Sequence, residues 1–209
     1  IRFADRGVNV ALVGPHREPL LQAADEVSSR GVGALVVVGD VSKSDDVVAA
    51  EQRVNAEFGV VDYVVNNAGV AHRGLLAETD EAAWDHVVDV NLKGTFLVSR
   101  AFLPKMIARG RGRIVSVGSI SSTLGTPGLT AYCAAKWGVV GFTKALAEEL
   151  RGTGVQTICV LPGSVDTDML KGSGFAPAMT ADDVARTLVY AAIDAPEAMN
   201  GSAVEMFGP

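Results

Sequence analysis

Three side chains have the types and spacing needed to move a proton on and off an oxygen atom: Ser119, Tyr132 and Lys136. Tyr132 and Lys136 stand four residues apart in the helical pattern Tyr132-Cys133-Ala134-Ala135-Lys136. At about 3.6 residues per turn such a pair shares one helix face, so a phenol and an ammonium can enter the same cleft. A free phenol has a pKa of about 10, and bringing it to neutrality takes roughly 4 kcal/mol. An ammonium close by supplies a good part of that. Ser119, thirteen residues before Tyr132, ends a β-branched run and offers a hydroxyl able to hold the same oxygen. Ser116, Ser121 and Ser122 are its neighbours, and local turn or backbone hydrogen bonding explains those three. Taken alone, the Tyr–Lys spacing is commoner on a solvated helix surface. The surrounding sequence reverses that reading.

The elements that must position these groups alternate in type. Strand patterns cover Asn9–Val13, Ala34–Val38, Val60–Val65, Arg113–Val117, Val155–Leu161 and Ala203–Phe207, mostly as continuous apolar runs suited to parallel strands covered on both faces. Helical patterns cover Glu18–Arg30, Ser44–Phe58, Glu81–Arg109, Ala131–Arg151 and Ala181–Ala195. Ser42 before Asp45, and Thr180 before Asp183, are spaced as helix N-cap pairs. Gly31, Gly59 and Gly110 follow helical patterns where a left-handed stop suits glycine. The alternation predicts an α/β fold, a doubly wound parallel sheet in one Rossmann-like domain spanning 1–209. In such sheets ligands sit beyond the carboxyl ends of the strands, so function is sought in the residues just after them.

Composition narrows the function classes. The formal net charge is −6 and no Lys/Arg run tracks phosphates, which argues against a nucleic-acid partner. Arg109, Arg111 and Arg113 are broken by glycine and read as a solvated helix end. No apolar stretch reaches the roughly 20 residues of a membrane span. Cys133 and Cys159 match no metal or redox motif and read as thiols in a reducing cytoplasm. The three scattered histidines have no metal-site spacing, so no metal is expected.

Together with Asn66-Asn67-Ala68-Gly69 after the Val60–Val65 strand, the Ser119, Tyr132 and Lys136 set resembles the short-chain dehydrogenase/reductase family, over nearly the whole chain and in the family's order. The pattern is most similar to its 3-oxoacyl-ACP reductase type and ketone- or polyol-reducing relatives. The resemblance implies an NAD(P)-dependent oxidoreductase that interconverts a carbonyl and a secondary alcohol by hydride transfer. It implies that Ser119 polarises the oxygen, Tyr132 exchanges the proton, and Lys136 lowers the Tyr132 pKa and binds the nicotinamide ribose. Asn91, in Val90-Asn91-Leu92-Lys93-Gly94, matches the asparagine that supports a proton-relay water. Asp40 and Val41 match the adenine contact, and Asn67, Ala68 and Gly69 the cofactor-side turn. Pro162, Gly163, Val165 and Thr167 match the segment beside the nicotinamide carboxamide. A small carbonyl or alcohol substrate and a homodimer or homotetramer follow from the same resemblance.

Cofactor choice turns on the residues after Asn9–Val13. An NAD-selective site places a carboxylate there for the ribose 2′-hydroxyl. This sequence has Gly14, Pro15, His16 and Arg17 instead, which favours NADP(H) over NAD(H) with Arg17 facing a 2′-phosphate. Between Thr167 and Thr180 lie only twelve residues, which predicts an open mouth, and Met169, Leu170 and Phe175 fit either an apolar pocket or ordinary loop cover. His72 and Arg73 border either the substrate or solvent, and His86 reads as a surface residue. No G-x-G-x-x-G turn occurs anywhere, so the expectation is that an opening strand and glycine-rich turn belong ahead of Ile1 and that this chain alone is inactive. Two other readings share these features. One is a non-catalytic NAD(P) sensor or scaffold on the same fold, against which the joint presence of Ser119, Tyr132, Lys136 and Asn91 argues. The other is an epimerase or dehydratase, against which the short stretch after Gly163 argues.

Overall fold

The computed structural model describes residues 1–208. Six strands, β1 (Val10–Gly14), β2 (Ala34–Val38), β3 (Tyr63–Asn66), β4 (Gly112–Val117), β5 (Val155–Pro162) and β6 (Ala203–Met206), alternate with helices α1 (Arg17–Ser28), α2 (Ser44–Phe58), α3 (Glu81–Val88), α4 (Gly94–Arg109), α5 (Thr130–Glu149) and α6 (Ala181–Val189). All pairings between strands are parallel. This is the α/β class that the alternation predicts.

The strands form two sheets, β1–β2 and β3–β4–β5–β6. Among the described residues nothing pairs with the remaining edges of β1 and β3, so β1–β2 and β3–β4–β5–β6 are separate hydrogen-bonded sets. An apolar core joins the halves in place of hydrogen bonds. Val37 of β2 packs in the same cluster as Val64 of β3, Ile114 of β4 and Val155 of β5, under Ala50 and Val54 of α2 and Phe102 and Met106 of α4. Side chains alternate along a strand, so Val115, next to Ile114, lies on the other face with Ile158, Val160, Val184 and Leu188. Burial on both faces is why these runs are apolar without alternation.

Helix ends follow local chemistry, with one correction. Thr180 and Asp183 form the expected capping box, Asp183 N donating to Thr180 Oγ1 at 3.2 Å and Thr180 N to Asp183 Oδ2 at 2.8 Å. Ser42 is not a cap. Its hydroxyl donates to Asp40 Oδ1 at 2.7 Å, and Lys43 holds the N-cap position of α2. Ser42 lies one residue ahead of that position, and its hydroxyl makes a charge-assisted bond to the Asp40 carboxylate instead. Gly110 ends α4 at φ 73°, as its type predicts. The single helix expected over 81–109 is interrupted by a π-helical turn at Asp89–Lys93, one extra residue in the winding that separates α3 from α4.

Candidate active site

Strand β4 and helix α5 bring the first three residues together. After Val117 the chain passes Gly118, where a β-carbon would collide with the Leu161 and Cys159 side chains of β5. Only a residue without a side chain lets the turn lie so close to the sheet. Ser119 follows in extended conformation, 8% exposed, and caps a short 3-10 turn over Ile120–Ser122. Its Oγ accepts from Ser121 N at 3.1 Å, while its own N–H donates to Ser122 Oγ at 3.2 Å. The Ser119 hydroxyl proton is therefore left for another acceptor.

Tyr132 and Lys136 lie one turn apart on the buried side of α5, with the Lys136 ammonium 5.7 Å from the Tyr132 ring centroid. Lys136 is 4% exposed and donates to the Val117 carbonyl at 2.7 Å. Burial pushes its pKa down to about 8. Burial likewise raises the Tyr132 phenol above its usual value, opposed by the adjacent Ser119 side chain and, more weakly, by the Arg73 charge. Burial is the largest influence on the phenol, and the Lys136 ammonium lies beside its ring. The ammonium donates one hydrogen to a strand carbonyl and lies over the phenol ring, while Ser119 and Arg73 oppose the effect of burial on the phenol.

Asn91 sits within the π-helical turn, fully buried. Its Nδ2 donates to Val70 O and Val87 O, both at 2.8 Å, tying the loop after β3 to α3. Its Oδ1 is buried with no hydrogen-bond partner in the protein. Gly69 brings the two functional elements together: a β-carbon there would lie 2.8 Å from Asn91 Oδ1 and 3.5 Å from Lys136 Nζ. Sequence alone assigned Gly69 to a cofactor turn but held no sign of this packing.

The other candidates fall along the carboxyl ends of the strands. Arg17 opens α1, exposed. Asp40 accepts from Ser42 N and Oγ, which hold its carboxyl below the usual range. Val41 packs its side chain against Gly94, where a β-carbon would be 2.9 Å from Val41 Cγ2. Asn67 and Ala68 are exposed after β3. Pro162 closes β5 and Gly163 N donates to Met206 O at 2.8 Å. Val165 bridges to Met179, and Thr167 Oγ1 donates to Val165 O at 3.3 Å. Beyond Thr167 the segment carries a 3-10 turn at Asp168–Leu170, and Met169 and Phe175 are exposed, in keeping with loop cover more than with a closed pocket. Ser116, by contrast, is buried in β4 and accepts from Asn66 Nδ2 at 3.2 Å, a structural role. Among the described residues no helix is long and apolar enough to cross a membrane.

Residues 1–175 match the family model of the short chain dehydrogenases. The chain is 41% identical over 171 residues to a 3-oxoacyl-acyl-carrier-protein reductase of Chlamydia muridarum, covering 81% of this chain and 69% of that one. It is 33% identical to the Chlamydia trachomatis reductase of the same description, covering 99% of this chain and 88% of the other. A crystal structure of a gluconate 5-dehydrogenase from Burkholderia cenocepacia, in complex with NADP and tartrate, superposes with a TM-score of 0.91 at 28% identity, over 98% of this chain and 86% of that one.

Proposed function

The chain belongs to the short-chain dehydrogenase family, and from that premise we propose that Ser119, Tyr132, Lys136 and Asn91 perform its oxidoreductase chemistry. The family reaction interconverts CH–OH and C=O groups with NAD(P). The observation that carries the assignment is the Lys136–Val117 bond of 2.7 Å, which pins the helix bearing Tyr132 to the strand end bearing Ser119.

Several features fit a nicotinamide cofactor. Lys136 has ammonium hydrogens beyond the one given to Val117, enough to reach a ribose hydroxyl. Gly69 lets the turn after β3 lie directly against Asn91 and Lys136, so a cofactor held by Lys136 would meet that turn. Arg17 is an exposed cation with no carboxylate at Gly14 to compete for it, which supports NADP(H) over NAD(H), as does the NADP in the gluconate 5-dehydrogenase structure. Asp40 and Val41 would border the adenine, Asn67, Ala68 and Gly69 the ribose side, and Pro162, Gly163, Val165 and Thr167 the carboxamide. When bound, the cofactor supplies or accepts the hydride.

The protein's part is proton handling and orientation. In reduction Ser119 donates its free hydroxyl hydrogen to the carbonyl oxygen, and Tyr132 delivers the proton that oxygen requires. In oxidation the phenolate takes the proton back. The orphan acceptor Asn91 Oδ1, next to Lys136 across Gly69, is suited to hold a water that relays the proton outward. We read the whole chain as one such domain, in a reducing cytoplasm given its free thiols, Cys133 and Cys159. Exposed Phe96, Ile107 and Trp137 on α4 and α5 support a homodimer or homotetramer, to be checked by sedimentation.

The test is the Tyr132→Phe variant followed by nicotinamide absorbance with a panel of ketones and alcohols. Turnover falls by about 10²- to 10⁴-fold while cofactor binding persists. Because burial holds the native phenol above its usual pKa, the wild-type reduction rate stays flat through neutral pH and the oxidation rate climbs with pH. A folded, cofactor-binding Tyr132→Phe protein with wild-type turnover removes the assignment.

A further inference from the structure

We infer that Arg73 is the substrate-recognition residue of this site and that the substrate bears a carboxylate near its reacting carbon. The inference rests on the oxidoreductase reading above. Arg73 lies on the loop after β3, and that loop is anchored on both sides of the candidate site. On one side Asn91 Nδ2 donates to Val70 O at 2.8 Å. On the other Gly74 N donates to Gly128 O at 3.0 Å, joining the loop to the turn that leads into Tyr132. Between these anchors the Arg73 guanidinium reaches across the mouth and donates through Nη2 to the Met169 carbonyl at 2.9 Å, on the segment that follows Thr167. It therefore spans the two loops that flank the entry.

The charge itself has no protein counterpart. Arg2, Arg6, Arg109 and Arg151 each lie within reach of a carboxylate, whereas Arg73, like Arg17, Arg53, Arg100 and Arg113, has no ion pair among the described residues; of these five it alone bridges the loop after β3 to the segment after Thr167. Its one bond to a neutral carbonyl leaves the other guanidinium donors of an exposed side chain free, and a guanidinium is matched to a carboxylate. Its charge also bears on the Tyr132 phenol and draws that pKa down, so it lies within electrostatic range of the reacting oxygen. A substrate anion placed there would otherwise oppose ionisation of Tyr132. Pairing it with Arg73 removes that opposition, which gives the arginine a reason to be at this position and the substrate a reason to be acidic.

Two measurements test this. In the first, short-chain 2-oxo and 3-oxo carboxylates and their methyl esters are compared as substrates with reduced cofactor. The acid-to-ester ratio of kcat/KM is well above one in the wild type, drops about 10- to 100-fold in Arg73→Ala, and partly recovers in Arg73→Lys. A ratio near one in the wild type, or a ratio unchanged by Arg73→Ala, overturns the inference. In the second, malonate binding is followed by calorimetry without turnover. Malonate binds the wild type and binds Arg73→Ala at least about tenfold more weakly; equal binding, or none to either, overturns it. Malonate binding that depends on Arg73 in a protein that turns over neither acids, esters nor simple ketones would instead sink the oxidoreductase reading and leave an anion site standing.

Discussion

Lys136 Nζ and the Val117 carbonyl oxygen, nineteen residues apart in sequence, meet at 2.7 Å and close the candidate site. The bond costs the ammonium its solvent, and burial holds its pKa at about 8 against an ordinary 10.5. Between those two values the unfolded chain binds a proton that the folded chain does not, so this group makes stability rise with pH from about 8 to 10.5. Its penalty is fully present below pH 8. Denaturant midpoints for the wild type and Lys136→Met should diverge across that window in favour of the wild type, by up to about 3 kcal/mol. Parallel curves would show that Lys136 is solvated after all.

Ser119 and Ser116 lie three residues apart and should fail differently. Ser119→Ala lowers turnover by about 10²- to 10³-fold, the usual loss of a donor aimed at a developing oxyanion. Ser116→Ala leaves one hydrogen of the buried Asn66 amide unpaired, the other still going to Ser99 Oγ at 3.0 Å, and lowers stability by about 1–3 kcal/mol, with turnover near wild type. Thermal melting and steady-state kinetics on the pair separate the roles; equal kinetic loss in both variants contradicts the assignment.

Gly69 and Asn91 should be energetically coupled. The backbone at Gly69 is outside the left-handed region, so the penalty of Gly69→Ala is one of space, about 1–3 kcal/mol, with the β-carbon 2.8 Å from Asn91 Oδ1. In an Asn91→Ala background the same substitution should cost less by about 1 kcal/mol or more, measured by a double-mutant cycle in denaturant. Strict additivity would place the two side chains apart.

Cofactor choice rests on Arg17. Arg17→Glu should lower the ratio of kcat/KM for NADPH over NADH by about 10- to 100-fold, since it replaces a charge-assisted contact with repulsion. An unchanged ratio would leave Arg17 a solvated residue at the start of α1.

The features legible in the sequence are those that depend on neighbours along the chain. Tyr132 and Lys136 share a face because of helical pitch, the apolar runs of β4 and β5 mark strands covered on both faces, and the Thr180–Asp183 box is a contact between residues three apart. Ser42 misled because its bond to Asp40 and a helix cap draw on the same residue type at nearly the same offset. The anchoring of Lys136 on Val117, the meeting of Gly69 with Asn91, and the reach of Arg73 to Met169 over 96 residues were decided by tertiary packing. Two of those contacts end on backbone carbonyls, a group every residue carries, and so leave no mark in the order of amino acids. The chain's own sequence specified which chemical groups the site possesses. Only the folded protein, by choosing which carbonyl and which charge each group faces, decided that burial raises the phenol while Ser119 and Arg73 oppose it.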